Sequence, residues 1–187
     1  MGSYTRTIKA KAPSVQPPGK AGCRKYSAKR CHKCSAKRCI TCKMHLEHTV
    51  RFCSGRTRAT FRIRDVVTCK SANLVYLLDC NRCRDVQYVG ETKQTLRKRL
   101  YGHRSKINAR PSTGNPVSKT APKEAMETLV ARHFQGPGHS IGDLRVTIIE
   151  LIDHHQGRDS TYYRKKRERF WRHKLKTKYP DGLNVFD

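Results

Sequence analysis

The sequence predicts an α/β (α+β) fold in which a small antiparallel β-sheet is flanked by helices and preceded by a basic, cysteine-rich N-terminal extension. Three runs rich in apolar and β-branched residues, 74–78, 86–89 and 144–152, predict the strands of the sheet. Turn-forming residues at 80–85 predict that the first two strands form a hairpin. We place the run 144–152 in the centre of the sheet.

Three helices are predicted around these strands, at about residues 92–108, 124–134 and 159–178. Thr92 or Thr95 can cap the first helix. Apolar residues recur along it at helical spacing and predict its buried stripe: Leu96, Leu100 and Ile107. Between residues 59 and 68, apolar residues alternate with arginines, which predicts a further strand at an edge of the sheet.

The charge of the chain predicts a polyanionic partner. Its 187 residues include 41 Lys and Arg against 14 Asp and Glu, a formal charge of +27, and nucleic acid is the polyanion we expect. No apolar run approaches the roughly 18 residues that a membrane-spanning helix needs, so no membrane partner is expected. An apolar signal segment is absent too, which predicts an intracellular protein. Basic pairs at 24–25 and 29–30 favour a nuclear location.

Composition divides the chain into three parts. Residues 1–30 are basic, contain proline and glycine, and are predicted to be a disordered arm. Residues 31–58 are rich in cysteine, and residues 59–187 contain the predicted sheet and helices. The segment 27–34 is repeated at 35–42, which produces two C-x2-C pairs. Such pairs are typical of a structural Zn²⁺ site, and nine cysteines in an intracellular chain favour metal ligation over disulfides.

Two groupings of the cysteines can close a zinc site. One is a self-contained knuckle of Cys31, Cys34, Cys39 and Cys42; the other joins Cys39 and Cys42 to the hairpin pair, Cys80 and Cys83. Histidines are present as well. His45 and His48 are candidate fourth ligands but are interpreted as surface residues, and His133 and His139 are interpreted as structural or phosphate-facing.

Residues 71–105 contain the most specific pattern. Leu74-Val75-Tyr76 and Tyr88-Val89-Gly90 are followed by Arg99 and, one turn later, by His103. This order of residues resembles that of the GIY-YIG nuclease family. The longer sequence pattern YVGET…RL…HRS is similar to the C-terminal endonuclease of Penelope-like retroelements. The matching cysteines favour the grouping of Cys39 and Cys42 with Cys80 and Cys83. The resemblance extends to a helical glutamate, Glu168, and to a closing asparagine, Asn184.

The resemblance implies a metal-dependent phosphodiester hydrolysis. Glu168 would hold Mg²⁺ or Mn²⁺, since hard cations prefer oxygen ligands, and Glu150 is its rival. Arg99 would stabilise the phosphate, while the base is Tyr76, Tyr88 or His103. Asn184 completes the catalytic set. The basic residues around the motif helix are assigned to DNA binding: Lys93, Arg97, Lys98 and Arg104.

The expected function is that of a metal-dependent DNA endonuclease, a hydrolase that nicks or cleaves target DNA for retroelement insertion. Residues 59–187 would form its GIY-YIG domain, with Zn²⁺ as a structural cofactor. RNA and a reverse-transcriptase module are further candidate partners. Two alternatives are a catalytically inactive, zinc-containing nucleic-acid-binding protein and a structure-specific DNA repair nuclease.

Overall fold

The computed structural model describes residues 32–34, 36–83, 85–109, 125–152 and 160–185, with residues 125–128 described by their backbone alone. The arm predicted at 1–30 lies outside the described residues. The elements are, in order, a short π-helix Thr41–His45, β1 Arg51–Cys53, β2 Thr60–Arg62, β3 Leu74–Cys80, β4 Gln87–Thr92, α1 Leu96–Asn108, α2 Ala125–Gln135, a 3₁₀ turn Ile141–Asp143, β5 Leu144–Leu151 and α3 Ser160–Leu175. The predicted mixture of helices and antiparallel sheet is confirmed.

The main sheet has three antiparallel strands in the order β4-β3-β5. The hairpin of β3 and β4 is as predicted, but the prediction that residues 144–152 form the central strand is wrong: β5 is an edge, and β3 is central. A strand that is apolar on both faces is expected to be buried between two layers of structure. Its apolar character does not reveal whether it pairs with one strand or with two. The apolar character of β5 therefore could not decide its place.

The side chains of β3 alternate between two cores. Leu74, Tyr76 and Leu78 point into a cluster shared with α1, α2 and β5, while Val75 and Leu77 pack with residues of α3 and β1. Such alternation follows from the two-residue period of a strand. The sheet is consequently a middle layer, with the helix that contains Arg99 on one side and the helix that contains Glu168 on the other.

The strand predicted at 59–68 exists as β2, but it does not extend the main sheet. It pairs with β1 in a separate hairpin. Phe52 and Phe61 of this hairpin pack against Trp171 of α3, with ring centroids 5.3 and 5.4 Å from the indole. The boundary predicted at residue 59 thus falls inside a hairpin, and the end of the cysteine-rich segment packs onto the last helix.

Helix α1 agrees with its prediction in both ends and in its buried face. Thr95, rather than Thr92, is the N-cap, and its side chain accepts a hydrogen bond from the backbone N–H of Lys98. The stripe of Leu96, Leu100 and Ile107 is buried. Helix α3 ends at Leu175, earlier than the predicted residue 178, because Lys176 adopts a left-handed backbone conformation with φ of 58°.

Gly90 is expected to be required by the fold. It lies opposite Tyr76 in the β3–β4 register, and a Cβ on Gly90 would lie 2.5 Å from the Tyr76 hydroxyl and 2.7 Å from the Tyr88 ring. We expect Gly90→Ala to reduce the free energy of unfolding by about 1–3 kcal/mol, because buried rings must move. Urea denaturation measures this change.

Gly102 offers a matched control. It lies in α1, and a Cβ there would have nothing within 4 Å. Gly102→Ala should raise the free energy of unfolding by about 0.5–1 kcal/mol, since alanine favours the helix. Equal effects of the two substitutions would contradict the packing assigned to Gly90.

Candidate active site and metal centres

The hydroxyl of Tyr76 is the centre of a buried hydrogen-bond network. Arg99 Nε donates to Tyr76 Oη at 2.8 Å, and His103 Nε2 lies 2.8 Å from the same oxygen. Arg99 and His103 are four residues apart on α1, so both reach the tyrosine from one helix face. The structure therefore brings together three of the six residues predicted to be catalytic.

The network orients one proton. Since a guanidinium only donates, the Tyr76 oxygen accepts from Arg99, and its own O–H can donate to His103 Nε2. Burial, followed by the charges of Arg99 and Lys106, lowers the pKa of His103 from 6.5 to about 3. Burial raises the pKa of Tyr76 well above its ordinary value. At neutral pH the pair is therefore a neutral tyrosine donating to a neutral histidine.

Tyr88 completes the aromatic part of the site. Its ring centroid lies 6.4 Å from that of Tyr76 and 5.9 Å from that of His103. Burial is the largest cause that raises the pKa of Tyr88, followed by the charge of Glu168, while Arg99 and Arg172 oppose the shift. Tyr88 is thus close enough to both Arg99 and Glu168 to interact with their charges.

Glu168 lies on α3, and its charge acts on the pKa values of Tyr76 and Tyr88. Its carboxylate pairs with Arg172 at 3.0 Å, and it lines a cavity of about 210 Å³ with Lys165, Arg169 and Arg172. Burial raises the pKa of Glu168, and the charge of Glu91 adds to the shift. Three of the four side chains that line the cavity are basic, so it favours an anionic group such as a phosphate, while the Glu168 carboxylate is an oxygen ligand of the kind that a divalent cation prefers.

The rival carboxylate, Glu150, is already engaged. Arg167 Nε donates to both of its oxygens, at 2.8 and 2.9 Å, and Trp171 Nε1 donates to one of them at 2.5 Å. These bonds join the end of β5 to α3. Both carboxylates are thus paired with an arginine, Glu150 with Arg167 and Glu168 with Arg172, and Glu168 differs from Glu150 in lining the cavity.

Asn184, which was predicted to be catalytic, is buried, and its hydrogen bonds run to β4 and to Thr177. Its side-chain amide accepts from the backbone N–H of Val89 at 2.9 Å and donates to the Val89 carbonyl at 2.8 Å. Thr177 donates to the same amide oxygen at 2.7 Å. Asn184 is accordingly a positioning residue, which fixes the strand that carries Tyr88 and Gly90.

The four residues predicted to bind DNA differ in their surroundings. Lys93 and Lys98 are exposed and can meet a phosphate, whereas Arg104 is half-buried. Arg97 is directed at sulfur: its Nη2 lies 3.1 Å from Cys34 Sγ and 3.4 Å from Cys69 Sγ. The prediction for Arg97 therefore overlooked a nearer partner, because Cys69 is distant in sequence.

Six of the described cysteines gather in two places. The predicted set of Cys39, Cys42, Cys80 and Cys83 is divided between them, whereas Cys34, Cys39 and Cys42 of the predicted knuckle lie together. Cys34, Cys39, Cys42 and Cys69 form a four-cysteine cluster whose ligand atoms lie within 4.8 Å of one another. Tetrahedral zinc with bonds of about 2.3 Å requires sulfurs about 3.8 Å apart, and the Cys39 and Cys69 sulfurs lie 3.6 Å apart. The cluster can therefore hold a metal such as zinc. Cys31 of the predicted knuckle lies outside the described residues.

The hairpin pair belongs to a second, mixed cluster of Cys80, Cys83, His133 and His139. His139 Nδ1 donates to the Pro137 carbonyl at 3.0 Å, which leaves Nε2 to face Cys83 Sγ at 3.1 Å. Among the described residues, the buried Nε2 of His133 has no hydrogen-bond partner. The Nε2 atoms of His133 and His139 can therefore both bind a metal, which favours metal ligation over the interpretation of these histidines as structural or phosphate-facing. The spacing C-x2-C and H-x5-H was visible in the sequence.

Comparisons of the chain with protein-family models, with curated proteins and with solved structures found no match. Within the ranges that the structure describes, none of the helices combines the length and apolar character needed to cross a membrane.

We predict that His103 makes the protein sensitive to acid. Because its pKa falls from 6.5 in the unfolded chain to about 3 in the folded protein, the unfolded state binds the proton first, and stability is lost as the pH falls below about 6.5. Between pH 7.5 and 5.0, His103→Gln should remove about 2 kcal/mol of this loss, measured by urea denaturation. His173→Gln, on the exposed side of α3, is the control. Identical pH profiles for native and His103→Gln proteins would refute the assignment.

The division of the cysteines predicts two zinc ions per chain. Cys42→Ser should remove one ion and Cys83→Ser the other, so that each variant retains one and the double variant none, as measured by elemental analysis. His173→Gln, at an exposed histidine outside both clusters, should retain two. If either single substitution removes all zinc, Cys42 and Cys83 share one site, as the sequence-based grouping assumed.

Proposed function

We propose that the protein is a metal-dependent DNA endonuclease of the GIY-YIG type that nicks or cleaves target DNA. The observation that carries the proposal is the convergence of Tyr76, Tyr88, Arg99 and His103 beside Glu168. Two adjacent strands and one helix supply the first four, and α3 supplies the carboxylate. A core that needed only apolar packing would not require a half-buried guanidinium and a buried imidazole on one hydroxyl.

The proposed chemistry uses charge at the phosphate and ordered proton donors. When bound at Glu168, Mg²⁺ or Mn²⁺ would supply charge neutralisation at the scissile phosphate. Arg99 remains positively charged and can donate to the phosphate oxygens, while its Nε holds Tyr76 in place. His103 accepts from the Tyr76 hydroxyl and fixes the direction of that proton. Tyr88 interacts with both Glu168 and Arg99, so we assign it to the position next to the attacking water.

The proposed DNA target and nuclear location rest on the positive charge of the chain and on its resemblance to a known family. A formal charge of +27 supports a strongly salt-dependent contact with DNA. The similarity of residues 71–105 to Penelope-like endonucleases suggests that the cut serves retroelement insertion in the nucleus. Zinc in the two clusters would be structural, since each has four protein ligands and no open position.

One observation favours a second candidate, a nucleic-acid-binding protein without cleavage. Arg172 is buried and pairs with Glu168 at 3.0 Å, so the carboxylate charge is already compensated within the protein. In a nuclease this arginine must share Glu168 with the metal. In a nucleic-acid-binding protein without cleavage, Glu168 would serve only to pair with Arg172.

The deciding experiment is nicking of supercoiled plasmid in Mg²⁺ or Mn²⁺. Glu168→Gln should reduce the rate about 100-fold or more, with DNA binding retained, because the amide keeps the shape but removes the charge. Glu47→Gln, at an exposed ion pair with Arg145, should cleave at the native rate.

Unchanged cleavage by Glu168→Gln would place the metal elsewhere. Absence of cleavage by a folded, zinc-containing native protein that still binds plasmid would favour the binding protein.

A further inference from the structure

Arg97 lies on the basic helix α1, but its side chain is directed at the four-cysteine cluster. Its Nη2 donates to Cys34 Sγ and Cys69 Sγ, at 3.1 and 3.4 Å, and its backbone N–H donates to the Cys69 carbonyl at 2.9 Å. Lys98, the next residue, is exposed. One residue of α1 therefore contacts the four-cysteine cluster through both its side chain and its backbone.

The chemistry of a zinc site explains what such an arginine does. Four thiolates and one Zn²⁺ have a formal charge of about −2, which is costly in a buried place. In this cluster Cys39, Cys42 and Cys69 are buried. A guanidinium that donates to two of the sulfurs offsets part of that charge and lowers the electron density on the ligands.

We propose that Arg97 is a positioning residue for zinc in the four-cysteine cluster, and that it connects this cluster to the helix bearing Arg99 and His103. The inference rests on zinc occupying the cluster and is independent of nuclease activity. It replaces the role in DNA binding that the sequence alone assigned to Arg97.

Two backbone hydrogen bonds make the connection mechanical as well as electrostatic. Leu96 N–H donates to the Ser71 carbonyl and Arg97 N–H to the Cys69 carbonyl, both at 2.9 Å. These are donors of the first turn of α1, which have no partner within the helix. The segment around Cys69 therefore caps α1, and zinc on Cys69 holds that cap in place. Arg99 follows Arg97 by two residues and lies in the same turn of α1.

The test compares Arg97→Gln with Lys98→Gln, which each remove one positive charge from adjacent positions of α1. Arg97→Gln should weaken zinc binding at the four-cysteine cluster about 10- to 100-fold in competition with a chelator. Lys98→Gln should bind zinc as the native protein does. With Co²⁺ in place of zinc, the thiolate-to-metal absorption of Arg97→Gln should move to longer wavelength, because a hydrogen bond to sulfur has been lost.

Arg97→Lys keeps the charge and an N–H donor, and its zinc affinity should fall between those of the native protein and Arg97→Gln. Native zinc affinity and native Co²⁺ spectra in both Arg97 variants would overturn the proposal. A native protein that binds no zinc at this cluster would overturn it as well. A zinc-binding protein that follows these expectations but cleaves no DNA would leave it intact and refute only the proposed nuclease.

Discussion

The close approach of Tyr76 to Gly90 is the constraint on which the site depends. The two residues are paired across β3 and β4, and the missing side chain leaves room for both tyrosine rings. With the rings in place, the Tyr76 hydroxyl lies under α1, where it meets Arg99 and His103. A larger residue at position 90 would separate the strand pair from the helix. Position 90 of the Tyr88-Val89-Gly90 motif is therefore a glycine because buried tyrosine rings occupy the space that a Cβ would need.

The two clusters that can hold a metal are both connected to α1, one through Arg97 and the other through α2. The four-cysteine cluster contacts the start of α1 through Arg97, and the mixed cluster joins the turn after β3 to the end of α2 and the residues that follow. α2 packs in turn on α1. Helix α1 is therefore held at its N-terminal end and along its side. In a chain with so much positive charge, such links offset the repulsion that opposes a compact fold.

Sequence patterns predicted the features that depend on residues close together in the chain. They failed for the features that depend on contacts between distant residues. The Thr95 cap and the buried stripe of α1 follow from helical spacing, and the tyrosines, Arg99 and His103 follow from one continuous motif. The central position of β3 and the separation of β1 and β2 depend on pairing across the chain, which apolar runs do not encode. Likewise, Cys69 meets Cys39 across 30 residues. Asn184 was recognised by its resemblance, but its bonds to Val89 join residues far apart in the chain and could not be predicted.

The contacts that position the site also close the sheet. Leu183 N–H donates to the Gln87 carbonyl, and the Asn184 side-chain amide forms hydrogen bonds with both the N–H and the carbonyl of Val89. These bonds replace the ones that a further strand would make with the edge of β4. On the opposite edge, Leu46 bridges to Val146, and Asp65 accepts from Leu151. Exposed strand edges recruit other chains. In this protein, contacts of that kind are blocked at Gln87 and Val89 on one edge and at Val146 and Leu151 on the other.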